Sequence, residues 1–173
     1  SQINIVKNYY LTISKNKGMD IGGFFKSYLK MIELGLSYKN IIKIHSKTNF
    51  NWRFCLLYTL LGSEKIIRAN LNLMSQEEIG MIGHNKTYIN INEKEHFSKM
   101  LNSFDINSEF EGEFIPGNIF WIKGEILDYY FTKDLLETLY NDMSKINIDQ
   151  DFERFFGILV ADYGKKTHSY NTK

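Results

Sequence analysis

The sequence is poor in the features that mark secreted and membrane-spanning chains. Of its 173 residues one is a cysteine, Cys55, so no disulfide can form within the chain and a reducing compartment is expected. No apolar run approaches the ~20 residues that a helix needs to cross a bilayer. These absences predict a cytoplasmic location and no membrane span in this chain.

The chain also lacks an excess of charge of either sign. Its 21 Lys and Arg nearly balance its 20 Asp and Glu, which leaves a formal net charge of +1. A near-neutral chain offers no general attraction for the phosphate backbone of nucleic acid, so nucleic acid is not expected as a partner. Hydrophobic residues make up 43% of the chain, which is typical of a globular protein, and its length predicts a single domain over residues 1–173.

Glycine is scarce, yet three of the 12 glycines lie in the stretch NKGMDIGGF, residues 16–24, around Asp20. Glycine occurs where a backbone must take a positive φ or where something must approach it closely. The stretch therefore predicts a turn at Lys17 and Gly18 that faces a ligand, with Asp20 accepting hydrogen bonds from the hydroxyls of a ribose or hexose. The alternative is that Asp20 only caps the helix that follows.

Hydrophobic periodicity predicts alternating strands and helices. The predicted strands cover 9–13, 39–45, 79–82 and 114–123, the last bent near its proline. The predicted helices cover 21–34, 52–61, 63–73, 93–104, 125–131, 133–140 and 152–163, with a loop at 84–92. This order predicts an α/β fold with an open, mostly parallel sheet flanked by helices, in which 39–45 is a buried central strand. Such sheets bind ligands outside the carboxyl ends of their strands.

A histidine and a lysine follow the second predicted strand. His45 and Lys47 are one residue apart, so they project to the same side if the strand alternation continues. An ammonium and an imidazole together suit a diphosphate, and the planar fork of Arg53 could reach a phosphate as well. The alternative is a solvated lysine, a histidine bonded to backbone and a surface arginine paired with a carboxylate. The remaining histidines lack metal-ligand spacing, so no metal site is predicted from them.

Two later segments carry further candidates. In PGNIFWIK, Gly117 and Asn118 precede aromatic residues, which suggests a platform for a sugar face that includes Trp121, or else an ordinary core strand. In DQDFER, Asp151 and Glu153 lie at a helix start, where a carboxylate could act as general base for an acceptor hydroxyl. The alternative is that these acids only favour the helix dipole.

Four segments in order resemble the rhamnan synthesis protein F family of polysaccharide glycosyltransferases, whose domain is similar to the GT-A fold of nucleotide-sugar enzymes. The matching segments span about residues 13 to 166 and read NKGMDIGGF, IIKIHSKTNFNWRFCLLYTLLGS, FIPGNIFWIKGEIL and DFERFFGILVADYGKKT. The order and spacing of all four segments make the match specific. The resemblance implies transfer of a hexose or deoxyhexose from a nucleotide sugar to a glycan acceptor.

The resemblance also implies roles for individual residues. It implies a donor pocket formed by Asn16, Gly18, Asp20, His45 and Lys47. It places Gly117, Phe120 and Trp121 near the donor sugar and the acceptor. It further implies an inverting reaction with Asp151 or Glu153 as the base and Arg154 as its partner.

Two departures from the family pattern affect the expected chemistry. GT-A enzymes usually hold Mn²⁺ or Mg²⁺ with an Asp-x-Asp motif, where this chain has His45-Ser46-Lys47. We therefore expect positive side chains to neutralise the leaving diphosphate, and dependence on Mn²⁺ or Mg²⁺ stays open. We also expect the first strand and helix of the fold to lie upstream of Ser1. A non-catalytic glycan-binding or scaffolding domain is the rival interpretation, and both departures favour it.

Overall fold

The structure is a computed structural model that describes residues 10–15, 17–46, 48–89, 94–106, 112–143 and 148–171. The helices are α1 (Met19–Glu33), α2 (Phe50–Leu61), α3 (Glu64–Met74), α4 (Lys94–Ser103), α5 (Gly124–Tyr130), α6 (Lys133–Asp142) and α7 (Ile148–Asp162). The strands are β1 (Asn40–Lys43), β2 (Ile79–Asn85), β3 (Thr87–Tyr88), β4 (Glu113–Phe114), β5 (Phe120–Lys123) and β6 (Lys166–Asn171).

The main sheet is mixed and has four described strands in the order β1-β5-β2-β6. Strand β5 runs antiparallel to both β1 and β2, whereas β2 and β6 are parallel. The α/β class is confirmed, but the expectation of a mostly parallel sheet is wrong because β5 inserts in the reverse direction between β1 and β2. The other three strands share one direction. Because β5 is antiparallel to β1, the last residues of β1 and the first residues of β5 lie side by side at the same end of the strands.

Helices cover both faces of this sheet. Successive residues of a strand point to opposite faces, so each strand contributes side chains to both layers. Met81 and Ile122 face the larger core, which contains side chains of α1, α5, α6 and α7. Ile82 and Trp121 face the smaller core, where α2 and α3 contribute Leu56, Leu60 and Met74. The alternation therefore explains how a four-stranded sheet buries two separate apolar layers.

Helix α1 confirms the predicted helix at 21–34. Its apolar side chains recur every three or four residues, and Ile21, Phe25 and Leu29 are buried in the larger core. It ends at Glu33, and the φ of 64° at Gly35 turns the chain so that the Leu36 amide bonds the carbonyl oxygen of Met31 at 2.9 Å. Core packing of Ile21 and Phe25 holds the beginning of α1 in place, and Asp20 in its first turn contacts Lys43 at the end of β1.

The other predicted helices are also confirmed, and three of them, α2, α3 and α6, begin at side-chain caps, the last at Thr132. Asn49 accepts a hydrogen bond from the amide of Trp52 at the start of α2, and Ser63 accepts one from the amide of Ile66 at the start of α3. No described helix is long and apolar enough to span a membrane.

Several strand predictions need correction. Residues 10–13 of the predicted strand at 9–13 have no regular structure, since Leu11 and Ile13 face solvent and no strand among the described residues pairs with them. Tyr9 lies outside the described residues. Strand β1 lies at the edge of the described sheet and is not central. The predicted strand at 114–123 is split by a turn after Pro116, so that β4 pairs with β3 in a second, two-stranded sheet and β5 joins the main sheet.

Two further differences concern polar segments. The predicted loop at 84–92 contains the end of β2 and all of β3, and residues 90–92 lie outside the description. Strand β6 was not predicted, because KTHSYN is polar and lacks the apolar alternation that marks a strand.

Candidate functional site

Backbone geometry requires glycine at two of the three glycine positions in the stretch 16–24. Gly18 is the N-cap of α1 and has a φ of 64°, and an added Cβ would overlap the side chain of Met143. An added Cβ on Gly22 would overlap the carbonyl oxygen of Lys17. Because Gly18 occupies the cap position, the alternative role of Asp20 as N-cap is wrong: Asp20 lies in the first turn, and its carboxylate is bonded elsewhere.

The partner of Asp20 is a buried lysine that sequence reasoning missed. Lys43 ends β1, and its side chain is 3% exposed while that of Asp20 is 19% exposed. The Lys43 ammonium forms an ion pair with the Asp20 carboxylate and donates to the carbonyl oxygen of Asn118 at 3.0 Å. The available signal was a lysine inside the apolar run IIKIH, because a buried ammonium needs a charged or polar partner.

His45 lies next to this ion pair, just beyond the end of β1. Its Nε2 is 3.7 Å from the Asp20 carboxylate and 2.9 Å from the carbonyl oxygen of Gly117. Its Nδ1 is 2.9 Å from the carbonyl oxygen of Ser46. A neutral ring donates to one of these carbonyls and an imidazolium donates to both. The structure therefore brings together Asp20 and His45, which are separated by 25 residues of sequence numbering, at one edge of the sheet.

The turn before β5 contacts Lys43 and His45 through its backbone carbonyl oxygens. Gly117 and Asn118 have positive φ angles of 92° and 58°, which point their carbonyl oxygens at His45 and Lys43. The Gly117 amide donates to the Glu153 carboxylate. Both turn residues are buried, so the structure uses their backbone as a support for the charged side chains.

Two cavities flank Asp20 and His45, and both side chains line both of them. The first cavity, of about 410 Å³, lies between residues 12–14, α1 and the end of β1. The second cavity, of about 820 Å³, lies between the beginnings of α1 and α2. Its other lining residues are Met19, Ser46, Thr48, Asn49 and Trp52. The arrangement presents an acid and an imidazole to two adjoining spaces that can hold a small molecule.

Other predicted donor-binding residues lie elsewhere. The Lys17 ammonium donates to the carbonyl oxygen of Asn141 at 2.8 Å and is therefore directed towards α6. The Arg53 guanidinium lies 5.5 Å from the ring centre of Phe50 and lines a separate cavity along α2. Asn16 and Lys47 lie outside the described residues, so their predicted roles stay predictions.

The predicted acceptor and catalytic residues do not line the two cavities, although the backbone of Gly117 and Asn118 contacts His45 and Lys43. Trp121 is buried in the smaller core, where its Nε1 lies 3.4 Å from the carbonyl oxygen of Leu60, so its ring packs inside the protein and does not face a ligand. Asp151 is buried at the beginning of α7. Neither Asp151 nor Glu153 is among the described residues that line the two cavities.

The donor set does not fit a divalent metal ion. Asp20 supplies the carboxylate that lines the two cavities, and that carboxylate is paired with Lys43. Within the part of the chain that the structure describes, no group of three or more His, Cys, Asp or Glu side chains could hold a metal ion. Mn²⁺ and Mg²⁺ prefer several oxygen ligands, so the described residues do not provide a metal site.

A second polar cluster joins α2, β2 and β6 away from the cavities. The hydroxyl of Thr59 donates to the carbonyl oxygen of Cys55 at 2.9 Å and lies 2.7 Å from Nδ1 of His84. Burial lowers the pKa of His84, and burial together with the charge of Lys86 lowers the pKa of His168. Both rings are thus more easily protonated in the unfolded chain than in the fold.

This shift predicts how stability depends on pH. Between the lowered pKa of the folded rings and about 6.5, the unfolded chain binds more protons, so the free energy of unfolding should fall as the pH drops below about 6.5. Urea denaturation at pH 7.5 and 5.5 would measure the loss. His84→Gln should reduce the loss, and an unchanged loss in that variant would assign the pH dependence to other groups.

Comparison with protein-family models found no matching family, and comparisons with curated proteins and with solved structures found no significant match.

Proposed function

We propose that the chain is a glycosyltransferase domain with a GT-A-like fold, which moves a hexose or deoxyhexose from a nucleotide sugar to a glycan acceptor. The observation that supports this proposal is the convergence of Asp20 and His45, which line two cavities together. Both residues belong to segments that resemble the donor pocket of the rhamnan synthesis protein F family. The position beyond the carboxyl end of β1 is where α/β sheets commonly bind ligands.

The chemistry divides between the two cavity-lining side chains. The Asp20 carboxylate accepts hydrogen bonds from sugar hydroxyls. The His45 imidazole exchanges its contact with the exposed Ser46 carbonyl for the departing diphosphate, donates to it and stabilises its charge, while Nε2 stays on the Gly117 carbonyl. Lys43 fixes the position of the Asp20 carboxylate, because its ammonium donates to Asp20 and to the carbonyl oxygen of Asn118. We keep Asp151 or Glu153 as the proposed base and inversion as the proposed stereochemical outcome.

The rival proposal is a glycan-binding or scaffolding domain without catalytic activity. It is favoured by the position of Asp151 and Glu153, which are absent from the described linings of the two cavities, and by a donor set that does not fit a metal ion. In this case a glycan, but no nucleotide, would bind the chain.

Calorimetric titration with UDP-glucose and dTDP-rhamnose, each with and without Mn²⁺, tests the proposal. We expect at least one of them to bind, and we expect His45→Ala to weaken binding about tenfold because a hydrogen bond to a charged phosphate is lost. His84→Ala is the matched control, since it removes a partly buried histidine outside the cavities. Binding of maltoheptaose without binding of either nucleotide sugar would support the rival, and equal binding by the His45→Ala variant would remove His45 from the site.

A further inference from the structure

Gly23 is a glycine for which the fold gives no structural reason. It is the fifth residue of α1, where glycine is less favourable than alanine because it loses more backbone freedom on folding. Gly18 has a positive φ and Gly22 lies against a carbonyl oxygen, but Gly23 has neither property. A Cβ added to Gly23 would meet no heavy atom within 4 Å. The missing side chain therefore leaves open space.

That space is the first cavity, and one stripe of α1 forms its wall. Asp20, Gly23, Phe24 and Ser27 all line it, and their spacing of three, four and seven residues places them on one face of the helix. The Ser27 hydroxyl lies 3.2 Å from the hydroxyl of Thr12 and donates to the Gly23 carbonyl oxygen at 2.9 Å. The wall thus combines a bare stretch of helix backbone with hydroxyl groups and one carboxylate.

These groups favour a neutral, hydroxyl-bearing ring over a phosphate. Asp20 and His45 line both cavities, and Lys43, which also lines the first, is paired with Asp20, so these charged groups do not distinguish the two spaces. The first cavity adds the Ser27 hydroxyl and the ring of Phe24, which suit the hydroxyls and the apolar face of a sugar ring. The second cavity lies between the beginnings of α1 and α2, where helix dipoles favour an anion, and Thr48 and Asn49 add side chains that can donate hydrogen bonds, so a diphosphate fits there better.

We propose that Gly23 is a specificity-determining residue that keeps the first cavity wide enough for the sugar ring of the nucleotide sugar. The ring lies against the bare backbone of α1, with its hydroxyls directed at Asp20, while the diphosphate lies in the second cavity. This inference rests on the proposed function. Beyond that function, it assigns the sugar ring and the diphosphate to separate cavities and names Gly23 as the residue that limits the size of the sugar that can bind.

The test compares Gly23→Ala and Gly23→Leu with the wild-type chain in calorimetric titrations with UDP-glucose and with UDP. We expect Gly23→Leu to weaken UDP-glucose binding at least about 100-fold, because the side chain occupies the space of the ring, and to change UDP binding less than about twofold. Gly23→Ala should weaken UDP-glucose binding only a few-fold. It should raise the melting temperature by about 2–4 °C, because alanine is the better helix residue and nothing obstructs it.

Glu33→Leu is the control, because it adds the same side chain to an exposed position of α1 outside the cavity. Equal UDP-glucose binding by the wild type and Gly23→Leu would overturn the inference and leave the proposed function intact. Equal loss of UDP binding would also overturn it, because the nucleotide would then occupy the first cavity. If the wild type binds none of UDP, UDP-glucose and dTDP-rhamnose, the proposed function fails and this inference fails with it.

Discussion

Asp20→Ala is expected to lower the free energy of unfolding by about 3 kcal/mol and to abolish donor binding. The variant removes the carboxylate that neutralises Lys43, and the ammonium then loses its charged partner at a position where its side chain is 3% exposed in the intact pair. It also removes the acid that lines both cavities. Urea denaturation measures the first effect, and titration with UDP-glucose and dTDP-rhamnose measures the second.

Lys43→Met provides the matched comparison. It should cost about 1 kcal/mol, since methionine fills a similar volume and the remaining Asp20 carboxylate is partly exposed to water in the cavities. The double variant Asp20→Ala, Lys43→Met should be more stable than Asp20→Ala alone, because it leaves no buried charge without its carboxylate partner. If the two losses simply add in the double variant, the ion pair does not have the energetic role assigned to it.

Gly22→Ala is expected to destabilise the protein by about 2 kcal/mol, although alanine normally favours a helix. The added methyl group would overlap the Lys17 carbonyl oxygen, so the turn and the first residues of α1 must move apart. The same movement should displace Asp20 from Lys43 and weaken nucleotide-sugar binding.

The neighbouring Gly23→Ala variant makes the same chemical change with open space in front of it. The two variants should therefore shift the urea midpoint in opposite directions, downwards for Gly22→Ala and upwards for Gly23→Ala. Shifts in the same direction would show that helix propensity, and not the contact with Lys17, controls stability at this turn.

The helices could be predicted from sequence because their signals are local. The spacing of Ile21, Phe25 and Leu29 defines the buried face of α1, and a capping serine marks the beginning of α3. Strand pairing depends on distant partners, so the reversed direction of β5 and the edge position of β1 left no local signal. Polar β6 was missed for the same reason, since its register is set by β2.

The candidate site was predicted only where residue type and turn position agreed. A glycine turn predicts Asp20 and a strand end predicts His45, and in the structure Nε2 of His45 lies 3.7 Å from the Asp20 carboxylate. The sequence does not predict the role of Lys43, because its neighbours in IIKIH are apolar and the segment has the pattern of a buried strand. The prediction of a ligand platform at Trp121 is wrong because sequence does not show on which side of β5 the ring lies or that α2 and α3 cover it.

The positions of the two tryptophans give the protein two separate optical reporters. Trp52 is partly exposed and lines the second cavity, so its emission responds to what enters that space. Trp121 is enclosed in the smaller core, so its emission changes when the core opens to water. Occupancy and unfolding can therefore be followed by fluorescence in one unlabelled sample, with Trp52→Phe and Trp121→Phe separating the two signals.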